Sequence, residues 1–222
     1  MRTVKFTNLD KTLWPEAGIT KGQLIEYLGA VGGPLLLELR NRPLTVVRAP
    51  DGIDKFTFFQ KKAPDYTPEW VKTVTLPAPS TKKDVRYILS NRLDDLKWLG
   101  NQASIEFHTW ISRVPRIQEP DLLAFDLDPA EGDFDLAVEA ARLLVDILRE
   151  VKLTPAMKTT GGKGLHLFVH LSPGHNYPQV HQAALTLASR AISVRSDLVT
   201  LEMKKDSRKG RVLIDIGRIS PG

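Results

Sequence analysis

Two aspartates stand in an otherwise apolar run, "LLAFDLDP", at Asp126 and Asp128. Residues i and i+2 of a strand share a face, so both carboxylates point the same way, with Cα atoms ~6.5–7 Å apart. Two such charges repel unless a cation lies between them. Hard divalent ions take oxygen ligands, and a pair of them is a recurring device for phosphoryl transfer. A second apolar run, "GRVLIDIG", ends in Asp215. If the two strands are neighbours, the three carboxylates form one cluster. Taken singly, each aspartate could also be a solvent-facing or turn-capping residue at a strand end.

Cationic and hydroxyl groups accompany the carboxylates. "KTTGGKGLHLFVHL" holds Thr160, Lys163 and His166 around a glycine-rich turn whose N–H groups can face an anion. It lacks the G-x-x-x-x-G-K-[ST] spacing of a Walker loop, and a strand is expected after it. A glycine hairpin with a solvent-facing lysine is the plainer reading of that segment. Lys205 and Arg208 lie in "EMKKDSRKGR", directly before the Asp215 strand. They could neutralise a triphosphate or a nucleic-acid backbone, or belong to a solvated charge run. Lys11 and Lys21 bracket a turn at residues 15–18. Lys21 sits in a first helical turn, where a cation opposes the helix dipole unless an anion binds the free N–H groups there.

These groups need elements to hold them. Thr20 and Gln23 form a capping-box pattern for a helix over "TKGQLIEYLGAVGG", which Gly32 and Gly33 are expected to end. "TVKFT" reads as a short extended segment. "PLTVVRA", "FTFFQK", "VKTVTL" and "ASIEFHTW" read as strands, and "NRLDDLKWLGNQ" as a helix. From about residue 120 the order is strand, helix capped by Asp133, strand–turn–strand, helix and strand. Leu136, Ala140, Leu143, Leu144 and Ile147 supply the apolar stripe of the first of these helices. The pattern predicts an α+β protein with helices packed on a sheet rather than a regular βαβ array.

Bulk properties narrow the classes. The 222 residues carry a net charge of +5, with local basic clusters such as "STKKDVR", which suits a polyanionic partner without requiring one. The chain has no cysteine, so disulfides and Cys-ligated zinc are excluded. No apolar run approaches the ~20 residues of a membrane span, and residues 1–10 carry no signal-peptide core. The expectation is a soluble, cytoplasmic protein with no membrane partner.

The pieces occur together and in order. From "TNLDKTLWPEAGITK" through "RPLTVVRAPDGIDKFTFFQK", "IEFHTW", "AFDLDP" and "TTGGKGLHLFVHL" to "RVLID", the chain resembles the polymerase domain of bacterial and archaeal DNA ligase D. That family lies within the archaeo-eukaryotic primase superfamily. The resemblance implies two mainly antiparallel β-sheets with flanking helices, a primase-like catalytic core and an RRM-like sheet. It implies one catalytic domain over 1–222, with an N-terminal lobe to about 115 and a metal- and nucleotide-binding lobe from about 116. Asp126, Asp128 and Asp215 become the metal carboxylates, holding two ions, Mn²⁺ in preference to Mg²⁺. Thr160, Lys163 and His166 match the segment that holds the triphosphate of an NTP or dNTP, with Thr in place of the commoner Ser. Arg208, Lys205 and the cleft histidine His108 accompany them.

Lys11 and Lys21 match the pair that grips a downstream 5′-phosphate, and Phe58 and Phe59 match residues that stack on the template. The implied partners are gapped or broken double-stranded DNA, Ku and a DNA ligase, in a prokaryotic nucleoid. The implied activity is template-directed nucleotidyl transfer during non-homologous end joining, with ribonucleotides preferred. A non-catalytic DNA-end-binding module and a metal-dependent nuclease remain as alternatives. In the family a segment rich in Gly, Thr, Pro and Arg follows the third aspartate. Only "IGRISPG" follows it in this chain, so a trimmed chain or a shortened form is expected.

Overall fold

The computed structural model describes residues 4–78, 83–130 and 133–220. Thr3 of the expected extended segment, residues 80–82 of a basic cluster and Gly222 lie outside the described residues. The chain forms two compact units, one running to Val114 and the other from Pro115.

The first unit contains β1 (Thr12–Trp14), β2 (Ile19–Thr20), α1 (Lys21–Ala30), α2 (Gly32–Leu39), β3 (Leu44–Arg48), β4 (Phe58–Gln60), β5 (Thr73–Ala78), β6 (Lys83–Ile88), α3 (Leu93–Asn101) and β7 (Ser104–Thr109). Strands β4-β3-β6-β5 lie in that order, and β7 also pairs with β3. Pro77 is tolerated because β5 is an edge strand. Leu24 and Leu28 of α1 join Leu44, Val46, Leu96 and Leu99 in one buried cluster.

The Thr20 cap forms as the pattern requires: its hydroxyl accepts the Gln23 N–H at 3.3 Å, and the Gln23 side chain accepts the Thr20 N–H at 2.8 Å. Two local expectations fail. Residues 4–7 form no strand. Gly32 and Gly33 do not end the helical region; Val31 closes α1, and the glycines open α2. Gly32 lies where α2 packs on α3: a Cβ there would lie 2.5 Å from a methyl of the partly exposed Leu93, which would have to move aside. Pro34 sits in the first turn of α2, where a missing N–H costs nothing.

The second unit contains β8 (Leu122–Pro129), α4 (Phe134–Glu150), β9 (Pro155–Thr159), β10 (Leu165–His170), α5 (Tyr177–Val194), β11 (Val199–Thr200) and β12 (Val212–Asp215). Its sheet order is β11-β12-β8-β10-β9. The β8-α4-β9-β10-α5-β12 path is the split βαβ arrangement, in which each helix crossover leaves room for a strand from the other half. Strands β8, β10, β9 and β12 pair antiparallel, while β11 adds a short parallel edge. Helices α4 and α5 both contact β8. The α4 stripe is shifted slightly from the expected one: Ala137, Ala141 and Leu148 are buried, whereas Leu136 and Leu143 are only partly so. Asp133 caps α4, accepting the N–H groups of Asp135 and Leu136.

Asp95 is the clearest polar support of the first unit. It is fully buried, and its Oδ2 accepts the N–H groups of Asn91 and Arg92 at 2.8 and 2.9 Å, which fixes the start of α3. Asp95→Ala leaves both amides unpaired and is expected to cost about 2–4 kcal/mol. All four tryptophans lie in this unit. Urea unfolding followed by their fluorescence reads the loss directly, and an unchanged midpoint would contradict it.

Candidate functional site

The register of β8 assembles the chemistry of the second unit. Along this strand every residue is buried except Asp126 and Asp128. Leu123, Phe125 and Leu127 face the opposite way from the aspartates and are almost fully buried. Asp126 lies directly across from Asp215 on β12 and from His166 on β10. His166 in turn lies across from Lys158 on β9. One cross-strand row therefore reads Asp215, Asp126, His166, Lys158, with Asp128 two residues along from Asp126.

Each carboxylate already has protein partners. Asp126 Oδ2 lies 3.3 Å from His166 Nε2 and accepts from Arg218 Nε and Nη2 at 3.2 and 3.0 Å. Burial pushes the Asp126 carboxyl up, but the His166 and Arg218 hydrogen bonds and charges outweigh it, leaving the group below its usual range. Asp128 Oδ2 accepts from Arg208 Nη1 at 2.8 Å. Asp215 Oδ1 accepts the Gly217 N–H at 2.7 Å. Among the described residues, no group of three or more His, Cys, Asp or Glu side chains is gathered in ligand geometry. The donor set nevertheless suits hard divalent ions: three carboxylates on one sheet face, Asp126 and Asp215 in direct register, with cationic side chains against Asp126 and Asp128.

Arg208 is a built-in group. It is buried, and its guanidinium also donates to the carbonyls of Glu202 and Met203 at 3.1 and 3.0 Å. Lys205 shares its 3₁₀ turn and is exposed. Thr160 organises its own loop: its hydroxyl donates to the Gly164 carbonyl at 3.1 Å and accepts the Gly162 and Gly164 N–H groups. A Cβ on Gly164 would lie 2.4 Å from the Leu127 carbonyl oxygen, so only glycine lets the loop run this close to β8. Lys163 is exposed at the loop tip. His166 Nδ1 is buried and meets no hydrogen-bond partner among the described residues.

The first unit brings a different set together. Hairpin pairing of Thr12 with Thr20 sets Lys11 and Lys21 side by side. The helix start does not offer the free amides expected of it. The Lys21 N–H donates to the Lys11 carbonyl, the Gly22 N–H to the Leu9 carbonyl, and the Gln23 N–H to the Thr20 hydroxyl. These three amides are therefore taken up within the protein. Lys11 Nζ pairs with Asp51 at 2.5 Å. Lys21 is only 5% exposed, and burial followed by the Lys11 charge pulls its ammonium below the usual lysine value.

On the sheet, Phe58 and Phe59 point to opposite faces. Phe59 is 68% exposed, with its ring 5.4 Å from that of His108. Phe58 stacks on Phe56 and lies under the Arg48 guanidinium. His108 Nε2 pairs with Glu106 Oε2 at 2.8 Å. All of these belong to the first unit.

A family model described as LigD, primase-polymerase domain, matches residues 20–222. The chain belongs to that family. It is 32% identical over 214 residues to the Bacillus subtilis bifunctional non-homologous end joining protein LigD, covering 96% of this chain and 34% of the relative. The Mycobacterium tuberculosis multifunctional non-homologous end joining DNA repair protein LigD is 32% identical over 226 residues, covering 96% and 29%. The chain thus spans about a third of the length of the curated relatives it matches. It is similar to the solved polymerase domain from Mycobacterium tuberculosis Ligase D in complex with DNA. That match has a TM-score of 0.94 and 31% identity, over 100% of this chain and 80% of the other. The α+β architecture expected from the sequence is therefore the observed one.

Sequence reasoning passed over several groups in these sites. Arg218 had a signal, a cation three residues beyond the third aspartate, but "IGRISPG" drew attention only as a short tail. Glu106 shares a strand face with His108 at i+2 spacing, and Phe56 lies just ahead of β4, two residues before Phe58. Asp51 as the partner of Lys11 had no local signal, because the two are 40 residues apart.

The depressed Lys21 ammonium has a measurable consequence. Its folded-state pKa lies below the usual 10.5, so the unfolded chain holds that proton more tightly. Stability gains as pH rises from the folded value through 10.5, and at neutral pH the charged side chain is a net cost. Lys21→Met is expected to unfold at a higher urea midpoint than the native protein at pH 7, with the gap shrinking toward pH 10.5. A lower midpoint at pH 7 would contradict burial of an unrelieved charge.

Proposed function

We propose that the chain is a template-directed nucleotidyltransferase that extends 3′ ends and fills gaps at broken DNA. The observation that carries this reading is the register of Asp126 opposite Asp215, with Asp128 on the same face of β8. Asp126, Asp128 and Asp215 would hold two divalent ions, Mn²⁺ or Mg²⁺. When bound, those ions supply Lewis acidity at the primer 3′-OH and charge neutralisation at the triphosphate. The chain's own residues hold this chemistry in place. Arg208 fixes the Asp128 carboxylate from behind. His166 orients Asp126, and Thr160 holds the glycine loop against β8. Lys163 and Lys205, both exposed, are cations that would meet the phosphates of an NTP or dNTP. A nucleoside triphosphate substrate is favoured over water-driven cleavage because these cations accompany the carboxylates. Ribonucleotides are the proposed preference.

Lys11 and Lys21 are proposed to grip a 5′-phosphate. Support comes from the buried, unrelieved charge on Lys21, which an incoming phosphate would compensate. The exposed ring of Phe59, with His108 beside it, provides a stacking surface for unpaired template bases, worth about 1–3 kcal/mol per base. Phe58 is the weaker platform because Phe56 lies against it. DNA as the partner is supported by the related solved domain, which is described in complex with DNA. The relatives are named for non-homologous end joining, and break repair alongside Ku and a ligase is the proposed setting. No described helix is long and apolar enough to cross a membrane, and a cytoplasmic, nucleoid-associated place of work fits this role.

Two assays test these readings. Replacing Asp126 and Asp128 together by Ala is expected to abolish Mn²⁺-dependent extension of a gapped template while DNA binding in a gel shift persists. Native extension rates in the double variant would sink the metal assignment, and loss of both activities would point to a structural role. For the phosphate site, a gapped DNA with a downstream 5′-phosphate is expected to bind about tenfold more tightly than its 5′-hydroxyl counterpart. Lys11→Ala with Lys21→Ala should erase that difference. Equal binding of the two DNAs by the native protein would remove the hypothesis.

A further inference from the structure

The partners of the carboxylates differ in how firmly they are held. Arg208 is buried and tied to two backbone carbonyls besides Asp128, so it is part of the framework. Arg218 is 47% exposed at its side chain and forks onto one atom, Asp126 Oδ2. It stands on the short turn that follows β12, closed by the Ile219 N–H donating to the Ile216 carbonyl. The same turn donates the Gly217 N–H to Asp215. One four-residue turn thus engages two of the three carboxylates, Asp215 through its backbone and Asp126 through a side chain.

We infer that Arg218 is a resident counterion of Asp126 that a divalent ion must displace, so that the turn at residues 216–219 acts as a latch on the site. The inference rests on the reading of Asp126, Asp128 and Asp215 as metal ligands. Two arguments lead to it. Asp126 Oδ2 already faces two Arg218 nitrogens and His166 Nε2, which leaves that oxygen little capacity for another partner. A doubly charged ion placed beside a guanidinium also meets a repulsion of several kcal/mol at ~5 Å and an effective dielectric near 20. Arg218 can leave, being half exposed and, among the described residues, holding no carbonyl as Arg208 does. An ion that takes Asp215 Oδ1 shares that oxygen with the Gly217 N–H of the same turn, so the turn that carries Arg218 also touches the second aspartate.

A structural role and a competitive role predict opposite signs. A residue that merely braces the site weakens metal binding when removed. A competitor strengthens it. Titration of the nucleotide-free protein with Mn²⁺, read by the loss of the free-ion paramagnetic resonance signal, is the direct measurement. Arg218→Ala and Arg218→Gln are expected to lower the Mn²⁺ Kd by about two- to five-fold, the range set by one half-exposed ion pair. Arg218→Lys should return it toward the native value. The gap between native protein and Arg218→Ala should narrow from low salt to 0.5 M KCl, as that ion pair is screened. Asp126→Asn serves as the control for the metal reading and should abolish tight binding.

An unchanged or weaker Mn²⁺ affinity in both Arg218→Ala and Arg218→Gln, with Asp126→Asn still defective, overturns the latch and leaves the metal reading standing. Absence of Mn²⁺ binding in native protein and Arg218 variants alike overturns both.

Discussion

Three negative charges share one face of a five-stranded sheet, and the arrangement around them follows from the cost of keeping them there. Two unit charges ~5.5 Å apart, as directly opposed strand residues are, repel by about 3 kcal/mol at an effective dielectric near 20. Asp126 and Asp215 are such a pair. The sheet cannot relax by sliding, because a one-residue slip would turn Leu123, Phe125 and Leu127 out of the core they fill against α4 and α5. Hydrophobic burial on one face thus enforces electrostatic strain on the other. Arg208, Arg218 and His166 are the intramolecular answer to that strain.

The split βαβ path explains why these groups can meet. It places β8 and β10 at the centre of the sheet and β12 beside β8, although more than 80 residues separate Asp126 from Asp215. Each chemistry-bearing strand contributes at the end where its loop begins. The glycine loop joining β9 to β10 follows the same logic. Thr160 spends its hydroxyl on Gly164 and on two loop amides, which presses the loop onto the Leu127 carbonyl. The loop's rigidity therefore comes from the residue that the family pattern associates with the triphosphate. A hydroxyl at this position has a structural task even with no nucleotide bound.

Strongly periodic elements were legible in the sequence. The α1 capping box, the Asp133 cap and the succession β8, α4, β9, β10, α5, β12 along the second unit all follow from local pattern. What was not legible depended on contacts distant in sequence. Gly32 looks like a helix terminator because glycine usually is one, but it opens α2 and lies against Leu93, 61 residues away. Strand β6 begins with Lys83 and Asp84, so its charge hid a strand that exists because β5 pairs with it. The amides at the start of α1 looked free because their acceptors, Leu9 and Lys11, lie across a hairpin. Arg218 was overlooked because a lone cation in a terminal segment says nothing until the carboxylate it reaches is known.

The two units handle excess charge in contrasting ways. The carboxylate cluster of the second is balanced from within, by one arginine that the framework holds and one that it does not. The lysine pair of the first is balanced only by half, since Asp51 serves Lys11 while Lys21 remains buried beside a like charge. A protein selected for stability alone would not keep a buried ammonium in the first turn of a helix, where both burial and the helix dipole oppose it. Its retention makes sense if the compensating charge arrives with a polyanion. By the same reasoning, if the proposed sites are right, a cation reaching Asp126 meets a resident arginine, whereas an anion reaching Lys21 meets an ammonium that, among the described residues, only Asp51, on the neighbouring Lys11, helps to balance. On the proposed reading, ion entry at the carboxylates would be an exchange sensitive to whatever weakens Arg218, and anion binding at the lysine pair would draw on a desolvation penalty already met during folding.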